Sequence, residues 1–546
     1  MRALALSLFV VACSAPPRPQ PAAPPEPAEP VPVQPATKPE VPVEPAYQPV
    51  AQTAQPQELQ FPEDDFRNAQ PKAGAPRPFR LPKVKPFTLK SGLKVYLVEQ
   101  HALPIVSMDL NFDGGSLLDP KGKEGLASVC MSMLTEGTDK LDKLQYAEAL
   151  ADVASNIGAY AADDSLGVSL SSLTKHLDAT FALFVETLRA PGFRASDFDR
   201  MIKRRIESVR QSKGNPASVA ARVSGTVLYG AAHPFGAVVT EDSLKAITID
   251  DCKALAASAL KPAGARLFVV GDLTEAQVRA HFEKPELAAW KGAAPKLPAL
   301  PKPKTLDGRI FFVHIPGAAQ SQVAYWQFGP SRTAADYFPN TLMAAVFGGG
   351  FASRINMNLR ENKGYSYGAR GGFGYSKQYG TFNASASVRT DATYQTLVEI
   401  DHEVKDLWSG KAPVKPEELE REKQGAILGM PGQFATAQAA LGNYRRLVYF
   451  GLPLDYYDSY VAKLGNVSLA QLKASAAKQL KPGQAVYLVV GDGDAKMIAR
   501  EDGKDIPYLV NGRHVTLREA LADLAQSGRV GAGSFVELDT DGKPVR

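Results

Sequence analysis

Two stretches of the chain, about 220 positions apart, share one pattern of apolar and polar positions. In the first, a helical pattern that begins near Ile247 leads through a proline loop to the apolar run 267–270, which stops at Gly271-Asp272. In the second, the same order begins near Val467 and stops at Gly491-Asp492. Each pattern predicts a helix of about ten residues followed by a short strand. The repeat unit is on the order of 200 residues, so we predict two homologous domains.

Each copy opens with two strand-like runs, at 93–98 and 105–112 in the first copy and at 309–314 and 322–328 in the second. Short turns containing Pro104 and Pro316-Gly317 separate the runs, so we predict a β-hairpin in each copy. Helical stretches follow, which predicts an α+β fold with an antiparallel-rich sheet that carries helices on one face.

The predicted domains have the following limits. The first covers residues 76–289, a proline-rich linker covers 290–304, and the second domain covers 305–495. A C-terminal extension, 496–546, contains a predicted amphipathic helix at Leu517–Ser527 and a turn at Asp541-Gly542.

The N-terminus predicts export. Residues 1–13 combine Arg2, an apolar run too short to span a bilayer, and Cys13 after a small residue, which resembles a bacterial lipoprotein signal with lipidation at Cys13. Residues 14–75 are rich in Pro, Ala and Glu and predict a disordered tether. Ser14 resembles the sorting pattern of outer-membrane lipoproteins, so we expect a lipid anchor at the periplasmic face of the outer membrane of a bacterial cell envelope.

Composition and cysteine usage narrow the function only slightly. A formal net charge of +5 on 546 residues is small and dispersed, which argues against a nucleic-acid partner. The cluster Lys203-Arg204-Arg205 is typical of a solvated helix face. Cys130 and Cys252 lie in apolar helical patterns, and although an oxidising compartment would allow them to pair, we expect two buried free thiols.

The segment 124–138 carries the strongest resemblance. It reads Glu-Gly-Leu-Ala-Ser-Val-Cys-Met-Ser-Met-Leu-Thr-Glu-Gly-Thr, and it is similar to the Gly-Leu-Ala-His-x-x-Glu-His-Met-Leu-x-x-Gly-Thr helix of the pitrilysin/insulinase-like zinc metallopeptidases, the inverzincins. The resemblance covers roughly residues 80–495. It implies two homologous α+β sandwich domains, like those of the mitochondrial processing peptidases, that form a clam shell around an extended peptide.

The resemblance also implies that the zinc chemistry is lost. The two histidine ligand positions hold Ser128 and Ser132, and the general-base glutamate position holds Met131. The third ligand position falls on Ser208, with Glu207 one residue away. Serine hydroxyls are poor zinc ligands and methionine accepts no proton. We therefore expect no bound metal, no cofactor and no catalytic residue, and the seven scattered histidines show no alternative paired spacing.

A second element of the family is kept in the second copy. The run Gly348–Gly350 is followed by Ser353-Arg354 and by Leu359-Arg360-Glu361-x-x-Gly364-x-x-Tyr367. In active members the corresponding Arg and Tyr hold a peptide carbonyl over the site, which implies the same for Arg360 and Tyr367. The alternatives are a surface ion pair of Arg360 with Glu361 and a half-buried strand position for Tyr367.

Two functions follow as expectations. The first is a noncatalytic insulinase-like protein that binds extended peptides or unfolded protein and supplies the Arg-Tyr element to a zinc-bearing sister subunit. The second is an envelope peptide-binding or scaffolding lipoprotein without a protease partner. An active zinc peptidase with unconventional ligands is a third reading, which metal analysis of the purified chain would test.

Overall fold

A computed structural model describes residues 81–293, 295–501, 503–530 and 534–545, which belong to one compact unit. Residues 81–293 are called the first half below, and residues 295–545 the second half. The predicted signal segment, Cys13 and the predicted tether lie outside the described residues. Within the described ranges, no helix combines the length and apolar character needed to cross a membrane.

The first half contains a six-stranded mixed sheet in the order β1-β2-β6-β3-β5-β4. Its strands are β1 (Lys85–Thr88), β2 (Lys94–Glu99), β3 (Ile105–Asp113), β4 (Asn156–Ala161), β5 (Ser165–Leu173) and β6 (Arg266–Gly271). Its helices are α1 (Leu126–Met133), α2 (Lys143–Asp152), α3 (Leu177–Arg189), α4 (Ala195–Ser212), α5 (Pro216–Tyr229), α6 (Glu241–Lys245), α7 (Ile249–Ala259), α8 (Glu275–Phe282) and α9 (Pro285–Ala288).

The second half repeats this sheet, in the order β16-β7-β11-β8-β10-β9. The strands are β7 (Ile310–His314), β8 (Gln320–Gly329), β9 (Ser366–Tyr375), β10 (Gly380–Arg389), β11 (Ala485–Gly491) and β16 (Phe535–Leu538), with two small hairpins, β12 (Ile498–Glu501) with β13 (Lys504–Pro507) and β14 (Leu509–Val510) with β15 (Arg513–His514). The helices are α10 (Tyr337–Ala344), α11 (Arg354–Asn356), α12 (Thr393–Ser409), α13 (Pro416–Gly429), α14 (Ala437–Tyr449), α15 (Tyr460–Gly465), α16 (Leu469–Gln479) and α17 (Leu517–Ser527).

The predicted hairpins are wrong. In each half the late strand, β6 or β11, inserts between the two early strands and pairs parallel with the first and antiparallel with the second. The physical reason is burial, since residues 267–270 and 485–490 are buried on both faces of their sheets. A strand that is apolar on both faces belongs at the centre of a sheet, where both faces are covered.

Helices cover both faces of each sheet, not one face as predicted. The helices of each half pack on one face of their own sheet and form the main cores. The other face is covered by one helix from the opposite half: α5 packs on the second sheet through Val219, Val223 and Val227, and α14 packs on the first sheet against Phe268 and Val270. The two halves therefore exchange one helix each.

The C-terminal extension completes the second half. Helix α17 has the predicted bounds, and it contributes Leu517, Leu521 and Leu524, all fully buried, to the core of the second half. Strand β16 pairs parallel with β7 at the edge where the first half has β1. A tail segment thus takes the sheet position that residues before β2 take in the first half.

Candidate functional site

The helix with the degenerate motif, α1, begins at a glycine with a positive φ angle whose backbone is held by the half-buried carboxylate of Asp119. Gly125 has φ 100°, in the left-handed region that favours glycine. The Asp119 side chain accepts hydrogen bonds from the backbone N–H groups of Gly125 (2.8 Å) and Ala127 (2.7 Å). Burial raises the pKa of Asp119 to about 6, although these hydrogen bonds work in the opposite direction. The first turn of α1 is therefore held in place by its hydrogen bonds to Asp119.

The motif positions on α1 point in different directions. Ser128 is exposed and Ser132 is half-buried, whereas Met131 is 2% exposed and lies in the core of the first half. The Ser132 hydroxyl donates to the Ser128 carbonyl oxygen, one turn earlier, at 2.9 Å. The position that resembles the general base thus has an apolar packing role.

Helix α4 brings a cation to the motif helix. The Arg205 Nη2 donates to the Ser132 Oγ at 2.9 Å. Ser208, the residue at the expected third ligand position, is exposed and follows Arg205 by one turn on the same helix face. Glu207 pairs instead with Arg210 at 2.5 Å on α4.

These side chains do not fit a zinc ion. The donors at the three ligand positions are neutral hydroxyls, and a guanidinium donates into the group at Ser132, where a second cation would be repelled. No step of zinc chemistry is assigned to this site. The sequence analysis placed Arg205 on a solvated helix face and did not predict its bond to Ser132, although its spacing of three residues from Ser208 on a helix was the available signal.

The expectation of two free thiols is wrong, because Cys130 on α1 and Cys252 on α7 form a disulfide. Both side chains are buried, at 3% and 0% exposure. Their helices are 122 positions apart in sequence, so spacing alone gave no information on the contact. The disulfide therefore joins the motif helix α1 covalently to α7.

The Arg-Tyr element of the second half lies at the surface. The Arg360 side chain is 42% exposed, its Nε lies 3.2 Å from a Glu361 carboxylate oxygen, and its guanidinium lies 4.8 Å from the centre of the Phe351 ring. Tyr367, near the start of β9, is 88% exposed, unlike the half-buried strand position considered from the sequence. The ion pair with Glu361 was the alternative for Arg360, and it is present, in an exposed setting where such pairs contribute roughly 0–1 kcal/mol.

A buried asparagine positions this element. The Asn356 amide donates to the Phe351 carbonyl oxygen (2.7 Å) and accepts from the Ala369 N–H of β9 (3.0 Å), and the side chain is 1% exposed. Arg360 itself lies in a π-helical turn, Met357–Asn362, and π-helical turns occur frequently at functional sites. The exposed side chains Phe351, Arg360 and Tyr367 are thus carried by a backbone that is fixed from beneath.

Histidine side chains have structural roles at two other places. The His233 Nδ1 accepts from the Phe235 N–H at 3.0 Å and so caps the turn that follows it. His314 approaches Asp492 and Asp494, a group with the residue types of a metal site that the sequence spacing did not reveal. Protein donors already occupy it, since the Gly493 N–H donates to His314, the Gly317 N–H to Asp492, and Arg518 to Asp494. The cluster is satisfied as a turn structure.

A charged contact joins the two halves. Asp109 on β3 is 2% exposed and accepts from Arg445 Nη1 of α14 at 2.6 Å and from the Tyr160 hydroxyl at 2.9 Å. Burial raises the pKa of Asp109, and Arg445 opposes that shift. A cavity of about 300 Å³ lies beside this contact, and its lining includes Arg445 and Tyr449, whose hydroxyl donates to Asp164. These charged groups serve the contact between the halves.

Comparison with known proteins identifies one family in both halves. Residues 94–228 match the family described as Insulinase (Peptidase family M16), and residues 246–426 match the Peptidase M16 inactive domain. The chain is 22% identical over 390 residues to the Non-peptidase homolog YmxG of Helicobacter pylori, a match that covers 70% of this chain and 88% of that protein. It is 19% identical over 340 residues to an uncharacterized zinc protease of Rickettsia bellii, covering 61% and 80%.

Solved structures agree on the fold. A peptidase M16 inactive domain from Pseudomonas fluorescens aligns with a TM-score of 0.68 and 25% identity, covering 75% of this chain and 98% of that one. The periplasmic protease PqqL from Escherichia coli aligns with a TM-score of 0.64 and 16% identity, covering 75% and 45%. The duplicated α+β fold is therefore confirmed. Together, the family matches in both halves and the shared fold show that the chain belongs to the M16 peptidase family.

Proposed function

We propose that this chain is a noncatalytic peptide-binding subunit that holds extended peptides with Arg360 and Tyr367. The observation that carries the proposal is the 88% exposure of Tyr367 on a strand that is held by buried Asn356, together with the 42% exposure of the Arg360 side chain. A phenol hydroxyl and a guanidinium both donate to carbonyl oxygens, which an extended peptide presents at regular intervals. Packing within the chain gives no reason for so large a ring to lie in water.

Open sheet edges support the extended form of the ligand. Among the described residues, β9 pairs only with β10 and β4 pairs only with β5, so each strand has one edge without a neighbouring strand. An extended peptide can add to such an edge through main-chain hydrogen bonds. Tyr367 lies on β9, and α1 packs against β4, so both motif elements lie next to an open edge.

The proposal includes a zinc-bearing sister subunit. The chain keeps the Arg-Tyr element and lacks the zinc ligands, and heterodimeric members of the family divide the two elements between two chains. A free-standing peptide-binding or scaffolding protein is the alternative. Co-purification with a chain that has an intact His-x-x-Glu-His motif supports the first reading, and its absence supports the alternative.

The proposal places the protein in the bacterial cell envelope, anchored through a lipid on Cys13 and held by the segment 14–75. The buried Cys130–Cys252 disulfide supports an oxidising compartment, because such bonds persist mainly outside the cytosol. Mass spectrometry of the N-terminal peptide from membrane fractions would test the lipid on Cys13.

The test of peptide binding uses matched variants of the full chain. Arg360→Ala and Tyr367→Phe are expected to weaken peptide binding about 10-fold each, and to lower turnover by the mixture with a zinc subunit without preventing assembly. Arg309→Ala is the control, because Arg309 has a similar exposure of 40%, pairs with a nearby acid, Asp307, and lies before β7, several strands away from β9 in the sheet. Equal peptide binding by the wild type, Arg360→Ala and Tyr367→Phe would contradict the proposal.

A further inference from the structure

We propose that the former zinc position binds a carboxylate of the peptide, through Arg205, which Ser132 orients, and the hydroxyls of Ser128 and Ser208. This inference rests on the proposed peptide binding and adds the chemistry of one subsite. The site has exchanged a metal cation for a guanidinium, and its preferred ligand atom changes accordingly, from a peptide carbonyl to an anionic oxygen.

Several charged side chains surround Arg205. Glu136 is 9% exposed and accepts from Lys143 (2.5 Å) and Arg200 (2.9 Å), with Arg204 at 3.5 Å. These cations lower the pKa of Glu136 against the effect of burial, so it is fully ionised near neutral pH and is shared among three positive groups.

Arg205 is left out of that arrangement. Glu207, two positions further along α4, pairs with Arg210. Within the described part of the chain, Arg205 has a hydrogen bond to the Ser132 hydroxyl and no ion-pair partner. An exposed guanidinium that is held in one orientation and has no acidic partner can donate hydrogen bonds to an anion.

Among the residues that the structure describes, the Arg205 guanidinium has N–H donors that remain free for a ligand. A guanidinium has five N–H donors in a planar fork, and the bond to Ser132 uses one of them. The hydroxyl of Ser132 fixes the orientation of the fork over α1, while Ser128 and Ser208 are exposed on the facing helices. Two parallel N–H donors match the two oxygens of a carboxylate, and hydroxyls on either side can donate to the remaining lone pairs.

A peptide can reach this site from the open edge of β4. Helix α1 packs against β4, the edge strand of the first sheet, and Ile157 and Ala159 of β4 lie in the same core as α1. A peptide added to the open edge of β4 therefore passes beside the helix that carries Ser128 and Ser132. Its acidic side chain or its C-terminal carboxylate supplies the same chemistry, and the experiment separates the two sources.

The experiment uses immobilised full-length protein and a pool of random ten-residue peptides, prepared once with free C-terminal carboxylates and once as amides. Wild type is compared with Arg205→Gln and with the control Lys203→Gln, which removes an exposed charge two positions away on the same helix. Captured peptides are sequenced by mass spectrometry. We expect enrichment of either Asp/Glu-containing peptides or free-acid peptides in wild type and Lys203→Gln, and loss of that enrichment in Arg205→Gln.

The best captured peptide is then titrated beside its neutral partner, with Glu replaced by Gln or the acid by the amide. The carboxylate form is expected to bind about 10-fold more tightly to wild type, with equal affinities for Arg205→Gln. Peptide capture without carboxylate preference, or a preference that survives Arg205→Gln, would overturn this inference and leave the proposed function standing. Capture no greater than that of the Arg360→Ala variant would overturn the proposed function and the inference together.

Discussion

The two halves fasten the same pair of helices in different ways. In the first half, α1 and α7 are joined by the buried Cys130–Cys252 disulfide. In the second half, the corresponding α10 and α16 are joined by a buried hydrogen bond from the Ser475 hydroxyl to Asn340 at 2.6 Å. The two halves thus share the packing of these two helices but differ in the bond that joins them, a disulfide in the first half and a hydrogen bond in the second.

The two exchanged helices, α5 and α14, also differ in the contacts that they make with the opposite sheet. Helix α5 crosses to the second sheet with valine side chains such as Val219 and Val223, both fully buried. Helix α14 crosses to the first sheet and brings Arg445 to the buried Asp109. Both crossings include a charge pair, but Asp541, the partner of Arg222 on α5, is half-buried, whereas Asp109, the partner of Arg445 on α14, is 2% exposed. The two halves should therefore respond differently to redox conditions, to charge substitutions and to pH.

Loss of the disulfide is expected to have the largest effect. Replacing Cys130 and Cys252 together by alanine should lower the free energy of unfolding by about 4 kcal/mol, because the bond closes a loop of 122 positions in the unfolded chain. Urea unfolding of the oxidised wild type and the variant measures the difference. Dithiothreitol should destabilise only the wild type, and a difference below about 1 kcal/mol would show that the link matters little to the first half.

Removal of the cross-sheet cation comes next. Arg445→Met should cost about 3 kcal/mol, because Asp109 is left buried without its charged partner. Adding Asp109→Asn should recover part of the loss, since the uncompensated charge is then gone. Arg446→Met, at the next and exposed position of α14, is the control and should change stability by less than about 0.5 kcal/mol. Equal losses for the two arginine variants would remove the contrast between the crossings.

Two aspartates near the starts of α1 and α10 should give opposite pH dependences. The pKa of Asp119 is raised to about 6 by burial, so its contribution to stability is full below about pH 4 and is lost as pH rises through about 6. Burial acts against ionisation of Asp336 as well, but hydrogen bonds from Lys478, Gln479 and Asn340 lower its pKa, so its contribution is present near neutral pH and is lost in acid.

Asparagine variants measure these two terms by urea unfolding between pH 3 and pH 8. Wild type minus Asp119→Asn should fall by about 2–3 kcal/mol from pH 4 to pH 7, since a pKa difference of one unit equals about 1.4 kcal/mol. Wild type minus Asp336→Asn should rise with pH over the acid range. Slopes of the same sign would refute the assignment for one of the two helices.

The hydrogen-bonded helix pair should show the smallest effect. Asn340→Ala is expected to cost about 1–2 kcal/mol, because the Ser475 hydroxyl, 3% exposed, loses its acceptor. Asn443→Ala, a half-buried position with one bond to a backbone oxygen, is the control and should cost less. Chemical denaturation under reducing conditions measures both. A cost for Asn340→Ala as large as that of the cysteine pair would mean that the two fastenings are equivalent.

Local structure was predictable from the apolar pattern. The helices α7, α16 and α17 and the strands β6 and β11 lie where their periodicity and glycine boundaries placed them. These elements have strong local signals, with Thr248 and Ser468 each capping the first turn of its helix through a side-chain oxygen.

Long-range contacts were not predictable in this way. The insertion of β6 between β2 and β3, the exchange of α5 and α14, and the Cys130–Cys252 bond join segments that are distant in sequence. The motif helix identified the family, yet the bond between Arg205 and Ser132 depends on how α4 crosses α1, which no single segment encodes. Local preferences determine which elements form, and packing determines which of them meet.

The exchange of helices has a consequence for synthesis on the ribosome. All six strands of the first sheet exist once Gly271 has been made, but the helix that covers Val98, Phe268 and Val270 ends only at Tyr449. At a translation rate of about 5–20 residues per second, the ribosome needs about 10 to 35 s to go from Gly271 to Tyr449, and this apolar face is not covered by α14 during that time. During this interval the nascent first half exposes apolar surface that can aggregate. We therefore expect it to need a chaperone or a membrane-targeting factor while translation continues.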